Sequence, residues 1–373
     1  MPSHGGRGRG LYASAPFDIT ELDFSDNLQS PQGVILEAEC LAARAYGAER
    51  TLFYAGGATD AVQTALLCVK GGKVAFLGDM HKSFYAAARL FSVDFVKVDS
   101  VEDLAKVSFD ALAVTSPNYF GEVREIEPLA ALCAEKKAKL IVDEAHGAHF
   151  AFSSLLPKSS VKCADFTIHG MHKTLPVYTG GALLHVKEAA YAAATAARAE
   201  VVGTSPSYLV MASMDYARDL FEREGEELYK RVYETVRRVK EKYKALSFLE
   251  NDDFSRLVML RKGGGKALAA ELERHGVYAE ASDADQVTFI VTPYNHRALE
   301  TACRIAANYD GKNAEYPDLS ALIGKISARD VGIYPPGVPL VLEGETFTAE
   351  KVARIEENLD RLFGTVNGTI LTK

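Results

Sequence analysis

The sequence predicts an α/β protein in which a mainly parallel sheet, covered by helices on both faces, is followed by a smaller α+β domain. Three observations carry this. From about residue 50 onward, short β-type runs alternate with helical patterns, the rhythm of strands joined by crossover helices. Several of those runs are apolar and deliver polar residues at their ends, as in Lys139-Leu-Ile-Val-Asp143. A long, charge-rich helical pattern over 206–246 then separates this stretch from a second one.

Taken in order, strands are expected at Lys73–Leu77, Asp94–Val98, Ala111–Thr115, Lys139–Val142, Asp165–Ile168 and Ala182–Val186. Between them the apolar spacing predicts helices at 59–69, 82–91, 101–107 and 125–137, the last opened by Glu125 and Pro128 as first-turn residues. The helix over 206–246 contains one glycine, Gly225, and is of a kind that bridges two domains. After it come the strand Arg256–Leu260, a glycine turn at 262–265, helix 266–274, strand 287–291, helix 296–308 and a closing helix 348–363. These divide the chain into an N-terminal segment 1–30, a major domain 31–245 and a small domain 246–373. Two domains suit 373 residues, since single cores stop growing near ~250 to 300.

Hydrophobic content of 48%, charged content of 25% and a mean hydropathy of -0.04 describe a globular chain and exclude long disorder or fibre. A formal charge of -8 argues against non-specific nucleic-acid binding. Only Met1–Gly10 is basic and glycine-rich, a start that is flexible or ordered by a partner, with a nucleic-acid arm as the alternative. The five cysteines are scattered without a C-x-x-C pair and read as reduced residues of a cytoplasmic protein. No apolar run reaches the ~18 residues of a membrane span, and no secretory signal is visible.

Two segments carry the chemistry. Asp143 ends an apolar strand, so its carboxylate is expected at the carboxyl edge of the sheet, where ligands of open α/β folds collect; an ordinary helix N-cap is the alternative. Lys173 follows a second apolar run, in His172-Lys173-Thr174 before the glycine pair Gly180-Gly181. Burial there favours the neutral, nucleophilic amine. An acid at one strand end and a lysine past the next are what an enzyme needs to hold pyridoxal phosphate, the lysine by an imine and the acid at the pyridine nitrogen. Gly56-Gly57-Ala58-Thr59 precedes a helix and can offer backbone N–H groups and a hydroxyl to a phosphate, or Thr59 is simply that helix's N-cap. His81 follows another strand and turn. His146, His149, His169 and His172 pose a competing zinc site, in which the H-x-x-H spacing places His146 and His149 on one helical face.

Taken together, these residues resemble the pyridoxal-phosphate-dependent ornithine/lysine/arginine decarboxylase family. The segments that carry the resemblance are Val142–His149, His172–Pro176, Thr204–Ser213 and Tyr334–Pro339 followed by Gly344-Glu345. It implies fold type I of the aspartate aminotransferase superfamily, with a mainly parallel seven-stranded sheet. It implies that Lys173 is the Schiff-base lysine, Asp143 the pyridinium partner and His81 the stacking ring, with His146 beside the cofactor and Gly57, Ala58 and Thr59 at its phosphate. His172 is then a cofactor contact and, with Lys173, a candidate acid for Cα. Ser205 reaches the phosphate of a neighbouring subunit, which implies a homodimer with shared sites. Glu345 meets the distal amine or guanidinium of the substrate, with Glu343 and Asp283 as further candidates.

The chain departs from the family where Gly170 replaces a serine, where Ala58 replaces a hydroxyl residue, and where Pro2–Gly8 departs from a P-G-H-K-x-G segment. It is also expected to lack an N-terminal regulatory domain and much of the C-terminal domain. The function implied is decarboxylation of lysine, ornithine or arginine to the amine. An aminotransferase or lyase on the same scaffold, with Arg329 or Arg256 holding the substrate carboxylate, stays open beside it, as does a catalytically degenerate descendant.

Overall fold

The structure is a computed structural model that describes residues 15–311, 317–366 and 368–373. The basic arm at Met1–Gly10, with its Pro2–Gly8 segment, lies outside the described residues. The chain forms two compact units, one of residues 1–78, 83–118 and 122–228, the other of 79–82, 119–121 and 229–373.

The first unit is built on a seven-stranded sheet. Its strands are β1 (Arg50–Tyr54), β2 (Lys73–Leu77), β3 (Asp94–Val98), β4 (Ala111–Thr115), β5 (Lys139–Asp143), β6 (Phe166–His169) and β7 (Ala182–Val186), in the order β1-β7-β6-β5-β4-β2-β3. The pairs β3–β2, β2–β4, β4–β5 and β5–β6 are parallel, while β7 runs antiparallel to both β6 and β1. Strand β1 was not among the expected strands. It fills the outer place beside β7 and is buried from Thr51 to Tyr54.

The helices of this unit are α1 (Val34–Tyr46), α2 (Ala58–Leu67), α3 (Lys82–Leu90), α4 (Ile126–Lys136), α5 (Met171–Thr174), α6 (Glu188–Val201) and the first part of α7 (Tyr208–Lys242). The pattern expected at 101–107 is a 3-10 turn, Glu102–Lys106. Ile126, Leu129 and Cys133 of α4 pack on Ala75, Leu77, Leu112, Val114, Leu140 and Val142 to form a core on one face of the sheet. By register Thr167, His169, His185 and Thr51 share that face, while Ile141, Asp143, Ile168, Leu184 and Leu52 share the other. Asp143 therefore projects away from the α4 core. Gly225 sits inside α7 because a Cβ there would come within 2.6 Å of the Phe152 carbonyl oxygen.

The second unit holds a four-stranded antiparallel sheet of β8 (Ser247–Phe248), β9 (Arg256–Leu260), β10 (Ala281–Ser282) and β11 (Gln286–Ile290), with α8 (Gly265–Arg274) and α9 (Ala298–Ala307). A smaller sheet of β12 (Val331–Ile333), β13 (Val338–Val341) and β14 (Leu362–Phe363) packs on α10 (Ala349–Glu356) through Val331, Val341, Phe347, Val352 and Ile355. The closing helix is shorter than its pattern predicts. It ends at Glu356, and residues 362–363 turn into β14, where pairing with β12 overrides helical spacing.

Candidate functional site

Asp143 and Lys173 are delivered by neighbouring parallel strands. Asp143 is the last residue of β5, and Lys173 lies in the single turn α5 that follows β6. The backbone fixes the junction, because the Gly170 N–H donates to the Ala145 carbonyl (3.2 Å) and the Lys173 N–H to the Gly170 carbonyl (3.0 Å). Lys173 Nζ lies 3.2 Å from His146 Nε2. The structure thus brings together Asp143, His146 and Lys173.

Asp143 is buried, and among the described residues its carboxylate accepts one hydrogen bond, from the Ala145 N–H to Oδ1 at 3.1 Å. It turns the chain after a strand and caps no helix. Burial pushes its carboxyl above the ordinary range, against the opposing pull of Lys173, the Ala145 N–H and His169. Such an acid is under-compensated and suits a cationic N–H partner.

His172 is half-buried, with Nδ1 donating to the Gly181 carbonyl at 3.0 Å. Burial, with Lys173 beside it, holds its pKa below the usual histidine value despite that bond. A side chain at Gly170 would fit tightly, since a Cβ there would stand 3.0 Å from the Ala145 carbonyl oxygen and 3.1 Å from Lys173 Cδ, and these neighbours would have to give by a few tenths of an ångström.

The phosphate candidates sit at the start of α2. Gly57, and not Thr59, is the N-cap, at φ 97°, and supplies no side-chain cap. A Cβ at Gly57 would meet nothing within 4 Å. The Asp60 N–H closes the first turn on the Gly57 carbonyl at 3.1 Å, which leaves the Ala58 and Thr59 N–H groups as those without an intrahelical acceptor, and the Asp60 carboxylate lies against Gly56. Ala58 is half-buried and Thr59 exposed in the first turn. Ser205 is exposed just before α7.

His81 and Glu345 belong to the second unit. His81 lies against the Tyr334–Pro339 segment, where a Cβ at Gly337 would come within 2.7 Å of its Nε2, and the Lys82 N–H donates to the Gly337 carbonyl at 2.7 Å. Lys82 Nζ sits 4.8 Å from the ring centres of both Tyr334 and Phe363. Glu345 pairs with Lys351 at 2.7 Å, Glu343 with Lys373 at 3.1 Å, and Asp283 caps its own turn through the Asp285 and Gln286 N–H groups.

The zinc alternative does not assemble. Residues 144–149 form turns, so no helical face carries His146 and His149 together, and His169 is bonded elsewhere. Among the described residues no group of three or more His, Cys, Asp or Glu side chains is arranged to hold a metal ion.

Sequence reasoning missed Glu144, His185 and Thr51, which join His169 in a buried hydrogen-bonded chain. The repeated histidines at the ends of β6 and β7 were a signal. Their partner Thr51 was hidden because β1 itself was.

The residues fit pyridoxal phosphate: an acid raised by burial, a lysine amine at the next strand end, and a glycine-led helix start whose first N–H groups can meet a phosphate.

Comparison with known proteins agrees. The family model described as Orn/Lys/Arg decarboxylase, major domain, matches residues 91–262, and the one for the C-terminal domain matches 296–358. Part of the C-terminal domain is therefore present. An arginine decarboxylase of Bacillus anthracis is 27% identical, over 92% of this chain and 84% of its own. Lysine decarboxylase A from Pseudomonas aeruginosa superposes with a TM-score of 0.78 at 17% identity, covering 95% of this chain and 73% of that one. The lysine decarboxylase LdcF of Francisella novicida gives 0.79 at 14%, covering 100% and 78%. A structure titled SPT with PLP shares the fold at 0.59 and 19%, over 73% of this chain and 76% of that one. With two of its models matching successive parts of the sequence, the chain belongs to the Orn/Lys/Arg decarboxylase family, pyridoxal-phosphate-dependent amino acid decarboxylases of fold type I.

Proposed function

We propose that this chain removes the α-carboxylate of a basic amino acid (lysine, ornithine or arginine) as carbon dioxide and releases the corresponding amine. The observation that carries the reading is the pairing of a buried, under-compensated Asp143 with Lys173 at adjacent strand ends. Bound there, pyridoxal phosphate supplies an electron sink for the bond broken at Cα.

The chain's own residues do the rest. Asp143 holds the proton on the pyridine nitrogen by a charge-assisted hydrogen bond in a low-dielectric site, where such contacts are strongest. Lys173 carries the cofactor through Nζ, and His146 Nε2 orients that amine. Gly57, Ala58 and Thr59 receive the phosphate at the start of α2.

We assign the proton returned to Cα to the ammonium of Lys173, which would be free of the cofactor once the substrate amine has taken its place. His172 donates Nδ1–H to Gly181, so its Nε2 carries a proton only in the cationic form, which burial and Lys173 disfavour.

To His81 we assign the stacking contact, to Glu345 the distal charge of the substrate, and to Ser205 the phosphate of a second copy, roles that follow from the sequence resemblance. Ser205 is exposed, as a residue serving a partner subunit of a homodimer must be. The cysteines are free, in keeping with the reducing cytoplasm, and no described helix is long and apolar enough to cross a membrane.

The aminotransferase reading needs an arginine for the substrate carboxylate. Arg256 is buried in β9 over the Tyr119 ring and Arg329 is exposed, which favours neither for that task.

The test is the visible spectrum of the protein with pyridoxal phosphate, followed by lysine, ornithine and arginine in turn with released carbon dioxide trapped. A band that responds to one of them with gas evolved supports the reading and names the substrate. A band with pyridoxamine phosphate and no gas means an aminotransferase. No band means a descendant that has lost the chemistry.

A further inference from the structure

Four buried side chains cross four strands on the face of the sheet opposite Asp143. Thr51 of β1 lies with Oγ1 2.8 Å from His185 Nδ1 of β7, His185 Nε2 lies 3.0 Å from His169 Nδ1 of β6, and His169 Nε2 lies 2.8 Å from Glu144 Oε1, one residue past the end of β5. None of the four is more than 3% exposed. Glu144 also accepts from the Ser159 hydroxyl and from the Ser160 N–H at 2.7 Å. The Tyr46 ring covers both imidazoles, with centroids at 5.1 Å from His169 and 4.7 Å from His185, and its own hydroxyl donates to the Ala148 carbonyl.

The donors and acceptors can all be matched. A carboxylate only accepts, so His169 Nε2 carries a proton. With both imidazoles neutral, His169 Nδ1 accepts from His185 Nε2–H, and His185 Nδ1 accepts from the Thr51 hydroxyl. Every polar atom of these four side chains is then satisfied, with the donors running in one direction, the condition under which a buried polar network rigidifies its surroundings.

We infer that this chain is a positioning device for the site on the other face of the sheet. Its two inner members adjoin the residues that matter. Glu144 follows Asp143 directly, and His169 ends β6 four residues before Lys173. A bond between Glu144 and His169 therefore ties the end of β5 to the end of β6, behind the acid and the amine, and His185 and Thr51 anchor that tie to β7 and β1. Misplacement of reacting groups by about 1 Å costs on the order of a hundredfold in rate, so a tie at this position sets catalysis without touching substrate. Glu144, His169, His185 and Thr51 are positioning residues. The inference rests on the proposed roles of Asp143 and Lys173.

The test uses His169→Leu, which breaks the chain at its centre, and His169→Gln, whose amide can donate to Glu144 and accept from His185. Thr51→Val removes only the terminal hydroxyl at matched volume and serves if His169→Leu does not fold. Three quantities are read: low-field imidazole N–H proton signals in slow exchange, the dissociation constant of pyridoxal phosphate by equilibrium dialysis, and kcat against KM.

The wild type should show two protected N–H signals. His169→Leu should lose them, weaken cofactor binding by about tenfold and lower kcat by on the order of a hundredfold with KM unchanged. His169→Gln should recover most of both, and Thr51→Val should move both in the same direction by less. A wild type without protected N–H signals, or a His169→Leu or Thr51→Val protein with unaltered cofactor binding and kcat, overturns the inference. A wild type that shows both signals yet takes up no cofactor overturns the function proposed above, and the positioning role with it, while the hydrogen-bonded chain stands.

Discussion

Lys173 Nζ and His146 Nε2 stand 3.2 Å apart, so the amine of the lysine is already aimed before any ligand arrives. The acceptor comes from the turn after β5 and the donor from the turn after β6, which makes the contact a measure of how well two strand ends are held together.

Lys173→Ala should abolish the visible band formed with pyridoxal phosphate and all release of carbon dioxide. His146→Phe should keep the band and lower kcat, because the amine loses its aim and not its chemistry. Turnover retained by the alanine variant would reject Lys173 as the cofactor lysine.

Asp143→Asn should separate stability from catalysis. The folded carboxyl is raised above 3.8 by burial, so the folded state binds that proton more tightly than the unfolded chain does. The group favours folding below its ordinary value, and that help is lost as pH rises through it toward the raised one. Without cofactor, Asp143→Asn should therefore melt higher than the wild type at pH 7, by about 1 °C for each kcal/mol recovered, and gain nothing near pH 3. With cofactor, kcat should fall by about 10²- to 10³-fold, the scale of one preorganised electrostatic contact. Melting curves at the two pH values and initial rates check both halves.

Gly337→Ala should act on His81. The new Cβ would stand 2.7 Å from the imidazole Nε2, and the residue holds φ 86°, where an L side chain is strained. We expect a loss of about 1–3 kcal/mol in stability and, where His81 stacks on the cofactor, weaker cofactor binding than the stability loss explains. His81→Ala with Gly337→Ala should then bind no worse than His81→Ala alone. Dissociation constants for the two single variants and the pair decide it.

Arg198 and Glu39 form a fully buried ion pair between α6 and α1, with Arg198 Nε and Nη2 and Glu39 Oε2 left without hydrogen-bond partners. Glu39→Gln or Arg198→Met alone should cost about 3–5 kcal/mol by leaving one buried charge uncompensated, while Glu39→Leu with Arg198→Met should cost far less. Denaturant unfolding of the three proteins measures this.

The sheet was legible wherever a strand carried its own apolar signature. Lys73–Leu77, Asp94–Val98, Ala111–Thr115 and Ala182–Val186 are strands over the residues expected. Arg50–Tyr54 was not, although Thr51, Phe53 and Tyr54 suit a strand, because five residues opened by a charge show no clear period and its burial comes from α1, α2 and α6, which periodicity does not report. The pattern at 348–363 overreached for the complementary reason: Leu362 and Phe363 keep helical spacing but are claimed by β12.

The placement of Asp143 and Lys173 at neighbouring strand ends could be read from sequence because strand ends place residues predictably. The chain through Glu144, His169, His185 and Thr51 could not, since it depends on which strands are neighbours and on the antiparallel register of β6, β7 and β1.

The connection that bears Lys173, residues 170–181, joins β6 to β7, which are adjacent antiparallel partners, and His172 near its start is fastened to the Gly181 carbonyl at its end through both its main-chain N–H and its ring. A connection whose two ends are held by paired strands and tied to each other has little disorder left to lose. Cofactor uptake at this lysine should accordingly run as a single exponential whose rate rises linearly with cofactor concentration, with no slow rearrangement following the encounter.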